Sequence, residues 1–167
     1  MRSKLIGAAT AALVASAAYA VEVGTTITTG DWNVTPMILS EDLAVCVAHV
    51  SDGETPASFS IAGDNRQNLK IALLTGADVD VTGAQNDVTI FIDGVSVYRP
   101  TFTGVGTVLE IPFNWGFLAQ IAEGGTLTWF ADGGKPFEFS LTGSAEALDN
   151  WVQCVEGIAS VERGEAY

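Results

Sequence analysis

The single histidine of this chain limits the acid–base chemistry that its side chains can perform. His49 precedes Ser51 and Asp52, and serine, histidine and aspartate are the residue types of hydrolase triads. Adjacent residues of a strand point to opposite faces, and triads assemble from separated segments, so this cluster assigns no catalytic residue. We interpret His49 as a histidine at the rim of a strand, hydrogen-bonded to its surroundings. The alternative is a small hydrolase that uses His49 with some of the 20 acidic residues.

A stretch of aspartates is the second candidate for chemistry, because its spacing partly matches a calcium loop. Asp78 and Asp80 occupy the first and third positions of the twelve-residue pattern, and Asp87 lies in the same stretch. The last position, which needs a bidentate acid, is Thr89. A solvated turn is the preferred interpretation and calcium the weaker alternative. We expect no other metal and no cofactor.

Two cysteines, Cys46 and Cys154, stand more than a hundred residues apart. They lack the C-x-x-C spacing that is typical of thiol redox sites. In an oxidising compartment, two such cysteines most simply form one disulfide. In the chain-entropy model, a loop of this length corresponds to a stabilisation on the order of 4–5 kcal/mol.

The first 20 residues predict such a compartment. Arg2 and Lys4 precede an uncharged, alanine-rich stretch over residues 5–17, and Ala18-Tyr19-Ala20 has the small-x-small pattern of a signal-peptidase site. The apolar run is shorter than the roughly 18 residues of a membrane-spanning helix. We therefore expect a signal peptide at 1–20, a single β-rich domain at 21–159 and a frayed polar tail at 160–167. The mature protein is then periplasmic or secreted, with no integral membrane segment.

Removal of the signal peptide makes an acidic chain more acidic. The chain has 7 basic and 20 acidic residues, and the signal peptide holds two of the basic and none of the acidic ones, so the net charge falls from −13 to −15. Such a chain repels the phosphates of nucleic acids and the headgroups of anionic lipids. The acids are scattered along the sequence, which favours a role in solubility over attraction of a basic partner.

The apolar residues of the first two thirds of the chain repeat mostly at a spacing of two, which indicates strands. The near-continuous apolar run over residues 43–50 is typical of a central strand. Asp93-Gly94 between β-branched runs predicts a hairpin, and a second hairpin follows over residues 127–141. Pro100 is expected at an edge or a bulge. These patterns predict a mainly β fold, an antiparallel sandwich or open barrel of seven to nine strands.

Two short helices are predicted, one before the second hairpin and the last at the C-terminus. Asn114 is a suitable N-cap for a helix through Glu123, and Ser144 for a helix to about Glu156. Residues 148, 151, 152 and 155 form an apolar stripe on the second helix, at the spacing of one helical face.

The four tryptophans are the remaining candidates for a binding surface. Trp32, Trp115, Trp129 and Trp151 could line a groove for a sugar or a peptide, but each lies in an apolar periodic segment. We therefore predict that they pack in the core.

The order of these elements resembles small secreted alphaproteobacterial proteins, and it is similar to the invasion-associated locus B family. The resemblance rests on an early Trp32-Asn-Val34 followed by Cys46, on Ile92-Asp93-Gly94, and on the run from Phe137 to Leu148 with Cys154 after it. Members of that family usually have further cysteines in the middle of the chain, and this sequence has none. The resemblance implies a periplasmic or secreted β-rich protein linked to host-cell interaction, with no catalytic residues.

The favoured function is therefore that of a non-enzymatic envelope or secreted protein that binds another protein. Its Asp-Gly turns and sheet edges are the expected contact surfaces. The alternatives are the small periplasmic hydrolase and a carrier of a small apolar ligand. A carrier requires an apolar cavity of roughly 300 Å3 or more.

Overall fold

The computed structural model describes residues 21–22, 24–40, 42–51, 57–74, 82–83, 85–131 and 134–162. Within these ranges the protein consists of twelve strands and two helices, and all strand pairs are antiparallel. The strands are β1 (Val21–Glu22), β2 (Ile27–Thr29), β3 (Trp32–Ser40), β4 (Leu43–Ser51), β5 (Ser58–Asp64), β6 (Leu69–Leu74), β7 (Gln85–Ile92), β8 (Val95–Tyr98), β9 (Thr101–Val105), β10 (Val108–Ile111), β11 (Thr126–Ala131) and β12 (Phe137–Ser140). The helices are α1 (Trp115–Glu123) and α2 (Ser144–Glu162).

The strands form one open sheet in the order β1-β3-β4-β5-β6-β10-β9-β7-β11-β12. Strand β2 also pairs with β3, and β8 also pairs with β7. The mainly β, antiparallel architecture with two helices is thereby confirmed. So is the central position of β4, which lies between β3 and β5.

The predicted count of seven to nine strands is wrong. Eleven strands of three or more residues and the two-residue β1 lie in the described ranges. The count was low because β1 and β2 are too short to show a period. In addition, the chain divides at Pro100, where β8 ends its pairing and β9 pairs with the first half of β7.

The Asp93-Gly94 hairpin is confirmed. Both residues have positive φ angles, +51° and +78°, as a two-residue turn of this kind requires. The second hairpin is confirmed as β11 paired with β12, although part of its turn lies outside the described residues.

The core lies on one face of the sheet, where every second residue of successive strands is apolar. Trp32 pairs across the ladder with Val50, Val50 with Phe59, and Phe59 with Leu73, so one row of large side chains crosses four strands. Helix α2 packs against β2 to β5 over this face. The described residues between sheet and helices form one continuous apolar cluster.

Both helices begin close to where the sequence places them, and α1 ends at Glu123 as predicted, whereas α2 extends beyond its predicted end. Asn114 caps α1, since its side chain accepts a hydrogen bond from the Phe117 N–H at 3.0 Å. Ser144 is the first residue of α2 and not its cap, because its hydroxyl donates to the Ile121 carbonyl and so ties α2 to α1. Helix α2 continues to Glu162, so residues 160–162 of the predicted tail are helical and residues 163–167 lie outside the described residues.

The predicted disulfide is present between Cys46 of β4 and Cys154 of α2, with the Cα atoms 6.0 Å apart. The predicted signal peptide lies outside the described residues. In the described part of the chain, neither helix combines the length and the apolar character that crossing a bilayer requires.

Candidate binding surface

The most exposed aromatic side chain in the described residues is Trp115, which is 58% accessible to solvent. The cap at Asn114 places Trp115 at the first helical position of α1. The apolar face of α1 packs into the core through its buried residues Phe117, Leu118 and Ile121. Trp115 lies one turn before Leu118, at the margin of that face, where α1 has no earlier turn to cover it.

Three aromatic rings meet at this point. The Trp115 ring centroid is 4.9 Å from that of Phe113 in an edge-to-face arrangement and 6.3 Å from that of Trp151. Phe113 and Trp151 are 6.2 Å apart. The exposed indole thus stands on two other rings, within the distance range of favourable aromatic pairs.

The support beneath Trp115 is fixed to the sheet. Trp151 is 1% exposed, and its Nε1–H donates to the Cys46 carbonyl at 3.0 Å. Three residues further along α2, Cys154 is covalently joined to the same Cys46. A side chain held by packing, a buried hydrogen bond and a nearby covalent link is a pre-organised base for a binding surface.

Two apolar grooves open on either side of Trp115, and we call them groove 1 and groove 2. Groove 1 has a volume of about 270 Å3 and runs between the β5–β6 turn and α2, lined by Gln67, Leu69, Trp115, Trp151, Val152, Val155 and Glu156. Groove 2 has a volume of about 210 Å3 and runs between α1 and α2, lined by Trp115, Leu118, Ala119, Ala122, Leu148, Asp149, Trp151 and Val152. Trp115, Trp151 and Val152 belong to both, so the grooves form one surface, which we call the Trp115 surface.

The prediction of core packing is confirmed for Trp32, Trp129 and Trp151 and wrong for Trp115. The apolar stripe predicted on the last helix contributes one wall to each groove. Leu148, Trp151 and Val155 of this stripe are buried, whereas Val152 is partly exposed. The signal that separates Trp115 from the other three is its place directly after a helix cap. At this first helical position no preceding turn of α1 covers the side chain, so a large residue stays exposed to solvent.

His49 lies on the face of β4 opposite to the core, paired with Asn33 of β3 and Ser60 of β5. It is half-buried, and this burial lowers the pKa of its imidazole below the ordinary value of 6.5. The hydrogen bond expected for it is not formed with any other described residue. His49 lines neither groove of the Trp115 surface.

Some of the acidic residues that a hydrolase could use are already engaged in structural contacts. Glu110 forms a salt bridge with Lys70 at 3.0 Å, and Asp64 accepts hydrogen bonds from the turn that joins β5 to β6. Asp31 and Glu138 line a separate polar cleft of about 340 Å3, and His49 does not line that cleft.

The calcium candidates are described only in part. Asp78 and Asp80 lie outside the described residues. Asp87 belongs to β7, where its Oδ1 accepts a hydrogen bond from the Thr101 hydroxyl at 2.9 Å. In the ranges that the structure covers, no three His, Cys, Asp or Glu residues cluster as ligands of a metal ion.

An open antiparallel sheet, two packed helices and a disulfide between β4 and α2 define the class of this protein. No protein-family model matches the chain, and neither does any curated protein. The chain is similar in structure to invasion associated protein B from Bartonella henselae, with a TM-score of 0.55 and 19% sequence identity over 78% of this chain and 97% of that chain. The distant resemblance inferred from sequence is therefore confirmed for the fold.

Proposed function

We propose that this protein is exported and works by binding another protein through the Trp115 surface. The observation that carries the proposal is the exposure of Trp115 between two apolar grooves. Exposed apolar surfaces with a polar border mark interaction sites, and tryptophan is among the residues that contribute most to protein interfaces. We place the contact here and not at the Asp93-Gly94 turn, because the Asp93 carboxylate already accepts hydrogen bonds from the Gly125 and Thr126 N–H groups.

Export is supported by the predicted signal peptide at 1–20 and by the disulfide, since disulfides persist in oxidising compartments. Mass measurement of the mature protein tests this part of the proposal. The expected species begins at Val21 and lacks two hydrogens relative to the reduced chain. A species that retains residues 1–20 and two free thiols contradicts export.

The size of the grooves favours protein side chains over a small apolar ligand. Small-molecule sites usually measure about 300–1,000 Å3 as one space, whereas the Trp115 side chain divides this surface into grooves of about 270 and 210 Å3. Each suits one anchoring group of a larger partner. The hydrolase alternative has no comparable support, because His49 lines neither these grooves nor the cleft that holds Asp31 and Glu138.

Photo-crosslinking in cells that export the full chain tests the binding function. A photoreactive phenylalanine derivative is placed at Trp115 or at Ala119, which lines groove 2. The control position is Val95, an apolar residue at the hairpin of β7 and β8 that is at least as exposed as Trp115. We expect protease-sensitive adducts from positions 115 and 119 and none from 95. Equal adducts from all three positions, or none from 115 and 119, overturn the proposal.

A further inference from the structure

The charged side chains that line the two grooves are both acidic. Glu156 borders groove 1 and Asp149 borders groove 2. Both belong to α2 and both are exposed. They are seven positions apart, which corresponds to about 10.5 Å along the helix axis. Between them lie the apolar walls that Trp151 and Val152 contribute to both grooves.

This local arrangement differs from the scattered acids of the rest of the chain. An apolar floor with an exposed indole, bordered at both ends by carboxylates, offers contacts to apolar groups and to cations at a fixed spacing. The indole adds to the attraction, since tryptophan is the best aromatic partner of lysine and arginine side chains. Arg66 precedes Gln67 in the β5–β6 turn, but it lines neither groove.

The charge of the chain argues against two other occupants. A second copy would bring its own Asp149 and Glu156 against the same border if the surface paired with itself, and like charges repel at a net charge of −13 per chain. A nucleic acid would bring phosphates to the same carboxylates.

From these observations we infer that the Trp115 surface takes a cationic amphipathic segment of a partner protein. This inference rests on the proposed binding function and names the chemistry of the partner. One apolar side chain of the segment occupies each groove, on either side of Trp115. Lysine or arginine side chains pair with Asp149 and Glu156. The matching spacing in the segment is about seven residues if it is helical or about three if it is extended.

Two synthetic peptides of 15 residues test the inference against the mature, disulfide-bonded protein. The first is built from Ala, Leu and Lys, with Lys at positions seven apart and Leu between them, and the second replaces every Lys with Glu. Neither contains an aromatic residue, so binding is followed by the emission of the protein's tryptophans and by calorimetry. We expect the Lys peptide to bind at least tenfold more tightly than the Glu peptide. We also expect this preference to shrink as salt screens the charges.

Two double variants separate a local site from attraction to overall charge. Asp149→Asn with Glu156→Gln removes the groove acids, and Asp31→Asn with Glu138→Gln removes two exposed acids from the other cleft. Both variants change the net charge equally. We expect the first to bind the Lys peptide roughly fivefold more weakly, as partly exposed ion pairs predict, and the second to bind it as the parent does. Thermal melts of all proteins show that the variants are folded.

The possible failures are distinguishable from failure of the proposed function. Equal binding of the two peptides, or equal weakening by both double variants, overturns the inference about a cationic partner. The inference is also overturned if neither peptide binds. In each case the proposed function still stands if crosslinks form at positions 115 and 119. Absence of those crosslinks overturns the function itself.

Discussion

Gly30 and Gly143 approach each other backbone to backbone, and neither position has room for a side chain. A Cβ atom on Gly30 would collide with the Thr142 carbonyl, and one on Gly143 would collide with the Thr29 carbonyl. Beside them, the Asp31 N–H donates to the Thr142 carbonyl at 3.0 Å. This contact joins the β2–β3 turn to the segment that follows β12. The two ends of the open sheet are therefore held together without a strand ladder between them.

We predict that Gly143→Ala destabilises the protein by about 3 kcal/mol or more. Gly143 has a φ of +84°, and the steric collision adds to the cost of placing alanine in that region. Gly94→Ala is the matched control, because its φ is +78° but no atom lies within 4 Å of its Cβ position. We expect the control to lose only about 1 kcal/mol. Urea unfolding measures both, and equal losses would contradict the close approach.

Much of the fold was predictable from local patterns, and the rest depends on distant contacts. The period of two located the long strands, and Asn114 and the Asp93-Gly94 pair marked a helix start and a hairpin, because their effects act within a few residues. The role of Ser144 was missed since its hydroxyl bonds to Ile121, 23 residues away. The joining of the sheet ends through Gly30 and Gly143 is likewise invisible to any local pattern.

We predict that Asp93→Ala destabilises the protein by about 2 kcal/mol. The Asp93 carboxylate accepts hydrogen bonds of 2.9–3.1 Å from the Gly125 and Thr126 N–H groups, and it thereby ties the β7–β8 turn to the start of β11. The variant loses these bonds and places alanine at a φ of +51°. Asp93→Asn is the control, because asparagine tolerates positive φ and retains an acceptor. Urea unfolding should show a clearly smaller loss for Asn, and equal losses would exclude the hydrogen bonds as the cause.

Loss of the disulfide should lower the free energy of unfolding by about 4 kcal/mol. The bond joins residues 108 positions apart, and a long loop restricts the unfolded chain strongly. Cys46→Ala with Cys154→Ala removes the bond, and guanidinium unfolding measures the loss. The parent protein under a phosphine reductant serves as the control and should lose a similar amount. If the double variant and the oxidised parent differed by less than about 1 kcal/mol in their free energy of unfolding, the disulfide would not appreciably restrict the unfolded chain.

His49 should make the stability depend on pH near neutrality. Burial lowers the pKa of His49 in the folded protein below the 6.5 of the unfolded chain, so the unfolded state binds more protons in this range. Stability is then highest above pH 6.5 and falls as the pH decreases from there toward the folded-state pKa. His49→Gln should remove this decrease between pH 7 and 5.5, whereas the carboxylates contribute equally to both proteins. Identical pH profiles of parent and variant would contradict a shifted His49.

The binding surface was less predictable than the fold. A tryptophan in an apolar helix segment fits the same hydrophobic spacing whether it packs into the core or lies exposed at the margin of the apolar face. Trp151 lies in the middle of α2, with its side chain buried and hydrogen-bonded to the Cys46 carbonyl, whereas Trp115 lies at the open start of α1. Only the position of Trp115 directly after the Asn114 cap distinguishes the two in the sequence. The groove residues of both helices fit ordinary apolar helix patterns in the sequence. Which of them are exposed depends on how α1 packs against α2.

Trp115 should therefore account for nearly all the solvent-accessible tryptophan emission. Trp32 and Trp129 are fully buried and Trp151 is 1% exposed, against 58% for Trp115. We expect Trp115→Phe to shift the emission to shorter wavelength, to abolish most of the quenching by acrylamide and to change stability by less than about 1 kcal/mol. Acrylamide is the suitable quencher, because an anion such as iodide is repelled by this acidic chain.

Trp151→Phe is the matched control for that experiment. It removes the donor of the buried hydrogen bond to the Cys46 carbonyl, so we expect a loss of about 1–3 kcal/mol while acrylamide quenching is retained. If the Trp115→Phe protein were quenched as strongly as its parent, the exposed indole would belong to another residue. The Trp115 surface would then lose its central group, and both the proposed function and the cationic partner inferred for it would lose their structural basis.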